Sequence, residues 1–351
     1  MTAHVQSPNP LLPWLYPRPE GLYCVPGDLY IDPIRPVPRA VITHGHADHA
    51  RPGHGKVLAT PETLAIMEAR YGPKGGAKDS AQTLSYGTAL TIDDLSLGFA
   101  PAGHVLGSAQ AVLTAHGQTA VVSGDYKRRS DPTCVGFEPV PCDVFITEAT
   151  FALPVFRHPP ADQEIAKLLR SVALYPDRCH LVGAYSLGKA QRVLALLRAA
   201  GWDRPIYLHG AHMALCALYE SLGVALGPVK PIAGMDKRAL QTALPGEIIL
   251  APPSALNDRW AAKLPDPVTV MASGWMRVRA RARQRGAELP LIISDHADWD
   301  ELTDTLRELR PTEVWVTHGR EDALVHQAGL DGIAAKSLSL IGYDDEGEDG
   351  P

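Results

Sequence analysis

The sequence has 351 residues, of which 45% are hydrophobic and 21% are charged, which is the balance of a soluble globular protein and not of a disordered chain. A formal net charge of −6 at pH 7 excludes a surface that is basic overall, so any contact with nucleic acid has to come from a local basic patch. The apolar runs are too short to span a bilayer and residues 1–10 lack a secretion signal, so we expect a cytoplasmic protein without a membrane segment. Five widely spaced cysteines and no C-x-x-C motif indicate reduced thiols.

Residues 1–153 are predicted to consist mainly of β-strands joined by short turns. Apolar runs and alternating patterns predict strands at 29–31, 40–43, 57–59, 90–99, 109–114, 119–123 and 143–147. Pro61 can occupy the first turn of a helix over 62–70, which ends near Gly72. His116 and Gly117 are predicted to form a hairpin turn.

Residues 154–289 have a different rhythm, in which strands and helices alternate. Predicted strands at 180–184, 205–208, 247–251 and 268–272 alternate with predicted helices at 161–175, 188–199 and 212–222. Such alternation is typical of a parallel-sheet α/β unit.

The pattern of residues 290–341 is again like that of residues 1–153. It predicts strands at 291–294 and 314–317 and helices at 299–309 and 322–336. We therefore predict an α/β protein in which 154–289 is inserted into a host domain made of 1–153 and 290–341. Residues 342–351 are acidic, with almost no apolar side chains, and are predicted to be a disordered tail.

The most specific feature of the sequence is the run Thr-His-Gly-His-Ala-Asp-His at positions 43–49. It places four ligand-type side chains within six residues: His44, His46, Asp48 and His49. Buried imidazoles and carboxylates need partners, and both suit zinc or a similar first-row cation. A solvated polar loop is the alternative. The spacing favours a metal-dependent hydrolase with a binuclear site.

Three further ligand candidates share one layout, in which a polar residue stands next to a glycine at the end of a predicted strand. They are His104, Asp125 and His318. Taken singly, such residues are usually caps or turn residues. Loops at strand ends are also where sites are built on rigid scaffolds, so we expect these three to complete the metal site.

With these motifs the sequence resembles the metallo-β-lactamase superfamily and, within it, the β-CASP nucleases, from Gly21 to about Gly319. The resemblance is carried by Thr-His-Gly-His-Ala-Asp-His, Ala-Gly-His-Val-Leu-Gly-Ser-Ala, Ser-Gly-Asp-Tyr-Lys and Thr-Glu-Ala-Thr-Phe. It is strongest toward the bacterial ligase-associated DNA exonucleases. It implies a metallo-β-lactamase αββα sandwich with an inserted β-CASP α/β cap domain.

The resemblance also implies how two divalent metal ions are held. One ion is assigned to His44, His46 and His104, and the other to Asp48, His49 and His318. Asp125 bridges the two ions, and Asp32 supports the site from behind, as carboxylates often do for histidine ligands. We expect zinc, with manganese as the alternative.

Two residues belong to the branch with the inserted unit. The resemblance implies that Glu148 hydrogen-bonds His296, which then acts as general acid toward the leaving 3′ oxygen, while Asp48 and Asp125 orient the attacking hydroxide. A purely structural role for Glu148 is one alternative. A separate metal site at 295–298 is another, although that run lacks a second histidine.

Candidate substrate-binding residues come from two basic stretches and one strand-to-helix turn. Lys127 directly follows the Asp125 strand, and Arg277 and Arg279 begin a run of five arginines at alternate positions, a residue type suited to phosphodiesters. Ser186 and Lys189 stand where a helix N-terminus can take a terminal 5′-phosphate. Ordinary solvated charges and a simple helix N-cap are the alternatives.

The predicted function is a 5′-end-directed DNA exonuclease acting in DNA repair, with a DNA ligase and a helicase as partners by resemblance. An RNA-processing nuclease is the alternative with the same chemistry, since nothing in the sequence reads the 2′-hydroxyl. A small-molecule ester or thioester hydrolase has no reason to carry the inserted unit. A binding protein with a degenerate site does not fit the full set of ligand types.

Overall fold

The computed structural model of the protein describes residues 11–338, so the predicted acidic tail lies outside the described residues. Its first part consists of eleven strands and one α-helix, α1 (Pro61–Tyr71). The strands are β1 (Leu15–Arg18), β2 (Gly21–Cys24), β3 (Leu29–Ile31), β4 (Arg39–Val41), β5 (Lys56–Ala59), β6 (Ser80–Thr83), β7 (Ala89–Ile92), β8 (Leu95–Pro101), β9 (Ala109–Ala115), β10 (Gln118–Val122) and β11 (Val144–Ala149). Helix α1 begins where it was predicted, because Pro61 fits the first turn and Thr60 caps the N–H of Thr63.

The middle part alternates helices and strands as predicted. The helices are α2 (Ala161–Leu174), α3 (Lys189–Ala199), α4 (Gly210–Ser221), α5 (Lys237–Ala243) and α6 (Arg279–Gln284). The strands are β12 (His180–Gly183), β13 (Ile206–Leu208), β14 (Val229–Pro231), β15 (Ile248–Ala251), β16 (Val268–Ala272) and β17 (Leu289–Leu291). The last part contains α7 (Trp299–Leu309), β18 (Glu313–Gly319), α8 (Glu321–Leu330) and β19 (Ala334–Ser337).

Two sheets face each other in the host. The first has the order β1-β2-β3-β4-β5-β6, and the second has the order β19-β18-β11-β10-β9-β8-β7. Apolar side chains of both sheets, such as Ile31 and Leu113, form one buried cluster between them. Helix α1 covers the outer face of the first sheet, while α7 and α8 cover the outer face of the second. This four-layer arrangement is the predicted αββα sandwich.

The third sheet has the order β14-β13-β15-β12-β16-β17, and all of its strands run parallel. Apolar residues of α2, α3 and α4 pack on one face, and residues of α5 and the segment 255–264 pack on the other. A parallel sheet needs such cover on both faces. This is the inserted α/β unit. Its exact limits stay a prediction, and β17 extends its sheet two residues beyond position 289.

Three predicted elements were wrong in detail. The strand at 90–99 is a hairpin of β7 and β8 that turns at Asp93, which adopts a left-handed φ of 50°. The strand at 291–294 lies instead at β17, in the third sheet. The helix at 322–336 ends at Leu330, and Gly332 leads into β19, which pairs with β18. Within residues 11–338, no helix is long and apolar enough to cross a lipid bilayer.

Candidate metal centre

The candidate ligands meet because several strands end at one edge of the sandwich. The loop 43–49 follows β4, His104 follows β8 and Asp125 follows β10. Strands β10, β11 and β18 run parallel, so their carboxyl ends bring Asp125 and His318 to the same edge. His49 and His318, which are 269 positions apart in the sequence, are thereby placed side by side.

Asp125 lies at the centre of the imidazoles. Its Oδ2 atom is 3.4 Å from His44 Nε2, 3.5 Å from His49 Nε2 and 3.7 Å from His104 Nε2. The Nδ1 atom of His46 is 3.0 Å from His104 Nε2. The ligand atoms of His44, His46, His104 and Asp125 all lie within 4.8 Å of one another. This set matches the residues assigned to the first ion together with the bridging carboxylate.

A second set surrounds His49. Asp48 Oδ2 is 3.6 Å from His49 Nε2, and the rings of His49 and His318 are 5.2 Å apart. Behind His49, Asp32 Oδ2 accepts a hydrogen bond of 2.8 Å from His49 Nδ1. Asp32 also accepts hydrogen bonds from the backbone N–H and the hydroxyl of Thr43. Asp32 therefore fixes both the ring of His49 and the start of the ligand loop.

The backbone at His318 has an unusual conformation. His318 has a φ of 56°, and Gly319 has a φ of 116°. A Cβ atom at Gly319 would lie 2.3 Å from the carbonyl oxygen of Ala149, so only glycine fits beside β11. Left-handed backbone at a non-glycine residue is strained and is concentrated at functional sites. Gly319 thus lets the chain turn sharply where the imidazole is presented.

The protonation states of the histidines fit a divalent cation. Burial and the neighbouring His44 lower the pKa of His46 to about 4. Burial, helped by His49, lowers the pKa of His318 to about 4. Both are therefore neutral, the form that binds metal. The buried Nε2 atom of His44 has no hydrogen-bond partner among residues 11–338, as expected of an atom that coordinates an ion.

His49 carries the opposite signal. Burial alone lowers the pKa of His49, but the charges of Asp125, Asp48 and Asp32 raise the pKa to about 10. The three carboxylates thus favour a positive charge at the His49 ring. A divalent cation that replaces the proton on the ring would supply this charge. The first set, His44, His46, His104 and Asp125, therefore fits a divalent cation. A second ion at Asp48, His49 and His318, with Asp125 shared, stays a prediction.

His296 and Glu148 stand beside this cluster. His296 Nδ1 is 3.0 Å from Glu148 Oε2 and 3.9 Å from Asp125 Oδ2. Glu148 is fully buried, and its other oxygen accepts the N–H of Tyr126 at 2.7 Å. Burial lowers the pKa of His296, but Glu148 and Asp125 outweigh it and raise the pKa to about 10. The imidazole is therefore held as a cation, as a general acid requires.

Both lysines that were predicted to bind substrate, Lys127 and Lys189, are buried in the protein. Lys127 Nζ is 2.8 Å from Glu301 Oε2 and donates to the carbonyl of His296 at 2.9 Å. Lys189 Nζ is 2.7 Å from Asp295 Oδ1. Lys127 is 5% exposed and Lys189 is 0% exposed. Both amines hold the loop that carries His296, so the prediction that they contact substrate is corrected.

The other candidate binding residues are differently placed. Ser186 precedes α3, and its hydroxyl lies 3.0 Å from His212 Nδ1, near the start of α4. Arg277 and Arg279 are both exposed, and Arg277 donates to the carbonyl of Val155 at 3.2 Å. The structure thus keeps Ser186 near the N-termini of α3 and α4.

Sequence reasoning missed the residues that support the His296 loop. The backbone carbonyl of Asp295 accepts a 2.9 Å hydrogen bond from His104 Nδ1. Asp298 caps α7 together with Glu301 in a reciprocal capping box and also pairs with Arg129 at 2.6 Å. The spacing Asp-x-x-Glu before an apolar run was a readable capping signal, but the ion pairs had none.

No protein-family model matches the sequence. Individual proteins do. A probable DNA ligase of Opitutus terrae is 28% identical over 88% of this chain and 29% of its own length. A ribonuclease of Thermus thermophilus is 28% identical over 88% of this chain and 87% of its own length. A solved structure of an Enterococcus faecalis protein of unknown function superposes with a TM-score of 0.55 at 11% identity, over 80% of this chain and 75% of the other.

Similar proteins also include endoribonucleases and a cleavage and polyadenylation specificity factor. The similarity to these relatives, together with the sandwich and its inserted α/β unit, supports the resemblance to the metallo-β-lactamase superfamily and its β-CASP branch. The chain spans less than a third of the length of the curated relatives with the strongest matches.

Proposed function

We propose that the protein is a metal-dependent nuclease that hydrolyses phosphodiester bonds. The observation that carries the proposal is the His296–Glu148 pair, 3.0 Å apart and beside the metal-ligand cluster. A metallohydrolase that releases a good leaving group has little need for a buried cationic imidazole next to its carboxylates. A departing sugar oxygen needs a proton, and His296 is placed and charged to give one.

The chain's own residues divide the work of the reaction. When bound, two divalent cations supply an activated water and neutralise charge on the phosphate. Asp48 and Asp125 accept hydrogen bonds and so orient the attacking oxygen. Glu148 keeps His296 protonated and fixes its ring through Nδ1, which leaves Nε2 to donate the proton to the leaving 3′ oxygen. The product end then carries a 5′-phosphate.

The finer proposal is a DNA exonuclease of DNA repair that starts at a 5′ end, with zinc or manganese bound. It rests on the sequence resemblance to ligase-associated exonucleases and on the relative whose name is a probable DNA ligase. A DNA ligase and a helicase are proposed partners on the same ground. Ser186, close to the starts of α3 and α4, is the residue proposed to meet a terminal 5′-phosphate.

RNA processing is the second candidate. It is supported by the Thermus relative, which is named a ribonuclease and matches along nearly its whole length, and by the endoribonuclease relatives. The proposed chemistry is the same for both substrates, so the candidates differ only in which sugar the cleft accepts.

One assay tests these proposals together. Single-stranded DNA and RNA of one sequence, each with a 5′-phosphate or a 5′-hydroxyl, are incubated with the zinc- or manganese-loaded protein. We expect 5′-phosphorylated products, released stepwise and faster from phosphorylated DNA, and no products with His296→Ala. Faster RNA cleavage selects the second candidate, equal rates on both 5′ ends contradict the role of Ser186, and no cleavage of any strand contradicts the nuclease.

A further inference from the structure

Two arginines of the run, Arg281 and Arg285, line a cavity in the inserted unit. It lies where β16 ends and α6 begins, and it encloses about 640 Å³ of empty space, part of it open to solvent. Its lining includes Ser273, Trp275, Arg281, Gln284 and Arg285. No acidic residue among 11–338 lines it, and residues 277–285 hold five arginines and no carboxylate. The cavity is therefore basic.

The helix selects which arginines face the cavity. Arg281, Gln284 and Arg285 are spaced i, i+3 and i+4, so they share one side of the turn. Alternate arginines diverge on a helix, and Arg283 is exposed outside the lining. Arg281 and Arg285 are thus the two arginines of the run that line the cavity. The substrate-binding role of Arg277 and Arg279 stays a prediction.

Trp275 makes the wall of the cavity rigid. The guanidinium of Arg281 lies 3.8 Å from the centre of the indole ring, which leaves its N–H edge available for hydrogen bonds. Behind Trp275, the rings of Phe151 and Phe156 pack at 4.7 Å and 5.0 Å. Gly274 allows this contact, because a Cβ atom there would lie 2.5 Å from Phe151. Arg281 is thereby oriented before any ligand arrives.

Two polar groups of the cavity lack protein partners. Among residues 11–338, the side chain of Arg281 contacts the ring of Trp275 and forms no ion pair with a carboxylate. The buried indole N–H of Trp275 has no hydrogen-bond acceptor in the same part of the chain. Buried donors are nearly always satisfied in proteins, so the buried indole N–H of Trp275 needs an acceptor. The exposed guanidinium of Arg281 stacks on the same ring, and its positive charge makes an anionic acceptor the best fit.

The aromatic wall also connects the cavity to the candidate active site. Phe151, which packs against Trp275, lies 6.1 Å from the ring of His296. We propose that Arg281 and Arg285 bind a backbone phosphate of the substrate strand away from the bond that is cut, with Trp275 as the wall of this subsite. The proposal rests on the proposed nuclease function and names a strand-binding contact for it.

Binding without turnover tests the subsite. Affinity of the full-length protein for a fluorescent single-stranded oligonucleotide is measured in EDTA at several salt concentrations. For Arg281→Ala/Arg285→Ala we expect about tenfold weaker binding, with the slope of log affinity against log salt smaller by about 0.7 per lost phosphate contact. The control Arg259→Ala/Arg283→Ala removes the same charge from exposed positions outside the cavity, and we expect affinity within about twofold of wild type.

Equal losses in the two double variants overturn the proposal, because only net charge then matters. Tighter binding of a mononucleotide than of the oligonucleotide also overturns it, since the cavity then takes a free nucleotide. If the double variant does not fold by thermal melting, Arg281→Gln carries the same comparison. Hydrolysis of bis(4-nitrophenyl) phosphate by the metal-loaded wild type tests the nuclease separately, so that failure of the nuclease proposal is distinguished from failure of the subsite.

Discussion

Lys189 Nζ lies 2.7 Å from Asp295 Oδ1, and both side chains are buried. Lys189 opens α3 of the inserted unit, whereas Asp295 is in the loop that returns to the host. The carbonyl of Asp295 accepts from Nδ1 of His104, so the other nitrogen of that ring faces the metal-ligand cluster. One ion pair thus ties the position of the inserted unit to the orientation of a candidate ligand.

The Lys189–Asp295 pair is expected to stabilise the fold strongly. In Lys189→Met the buried Asp295 carboxylate loses its ammonium partner, and we expect the free energy of unfolding in urea to fall by about 3–5 kcal/mol. Lys336→Met is the control, because Lys336 pairs with Glu313 at the surface and its loss is expected to cost under about 1 kcal/mol. Equal costs in the two variants would contradict the role of the buried pair.

The metal-ligand cluster was predictable from sequence because its signal is local. Four of the candidate ligands lie within six consecutive residues, directly after a predicted strand. The layout of a polar residue next to a glycine at the end of a predicted strand then added Asp125 and His318 to the set. The structure brings both beside His49. Local apolar patterns also predicted most strands and helices.

The contacts between distant segments could not be predicted from the pattern. Lys127 and Glu301 are separated by 174 residues, and a lysine that follows a site strand looks the same in sequence whether it is exposed or buried. The pattern also carried no sign of which arginines of the run line a cavity, because the short helix α6 was not predicted. Sequence periodicity gives the faces of an element, but packing decides what each face meets.

Metal content should follow the ligand assignment. We expect about two ions per chain by mass spectrometry of the wild type, fewer in His46→Ala, and fewest in Asp125→Ala, because Asp125 is proposed as a ligand of both ions. Both variants should lose turnover while they keep a cooperative melting transition, and EDTA should lower the melting temperature of the wild type only. Turnover by either variant in EDTA would contradict the assignment.

The pH profile should report the charge of His296. Activity requires the protonated imidazole, so it is lost as pH rises through the pKa that Glu148 and Asp125 raise to about 10. In Glu148→Gln one of these charges is gone, and we expect the alkaline limb of kcat to move to lower pH by roughly one to three units. Glu313→Gln, distant from the site and paired with Lys336, should leave the limb in place. An unmoved limb in Glu148→Gln would mean that another group is the acid.

Acid stability should depend on Glu301. Burial raises the pKa of this carboxyl, but Lys127 and Arg129 lower the pKa from 4.5 to about 2. A depressed pKa contributes stability that is complete above pH 4.5 and lost as pH falls toward 2, and for this shift it amounts to about 3 kcal/mol. The gap in unfolding free energy between wild type and Glu301→Gln should therefore narrow as urea denaturation is carried from pH 6 toward pH 3. Burial lowers the pKa of Lys127, but this shift changes the stability only at alkaline pH. Parallel curves of unfolding free energy against pH for the two proteins would therefore show that Glu301 is not ionised in the fold.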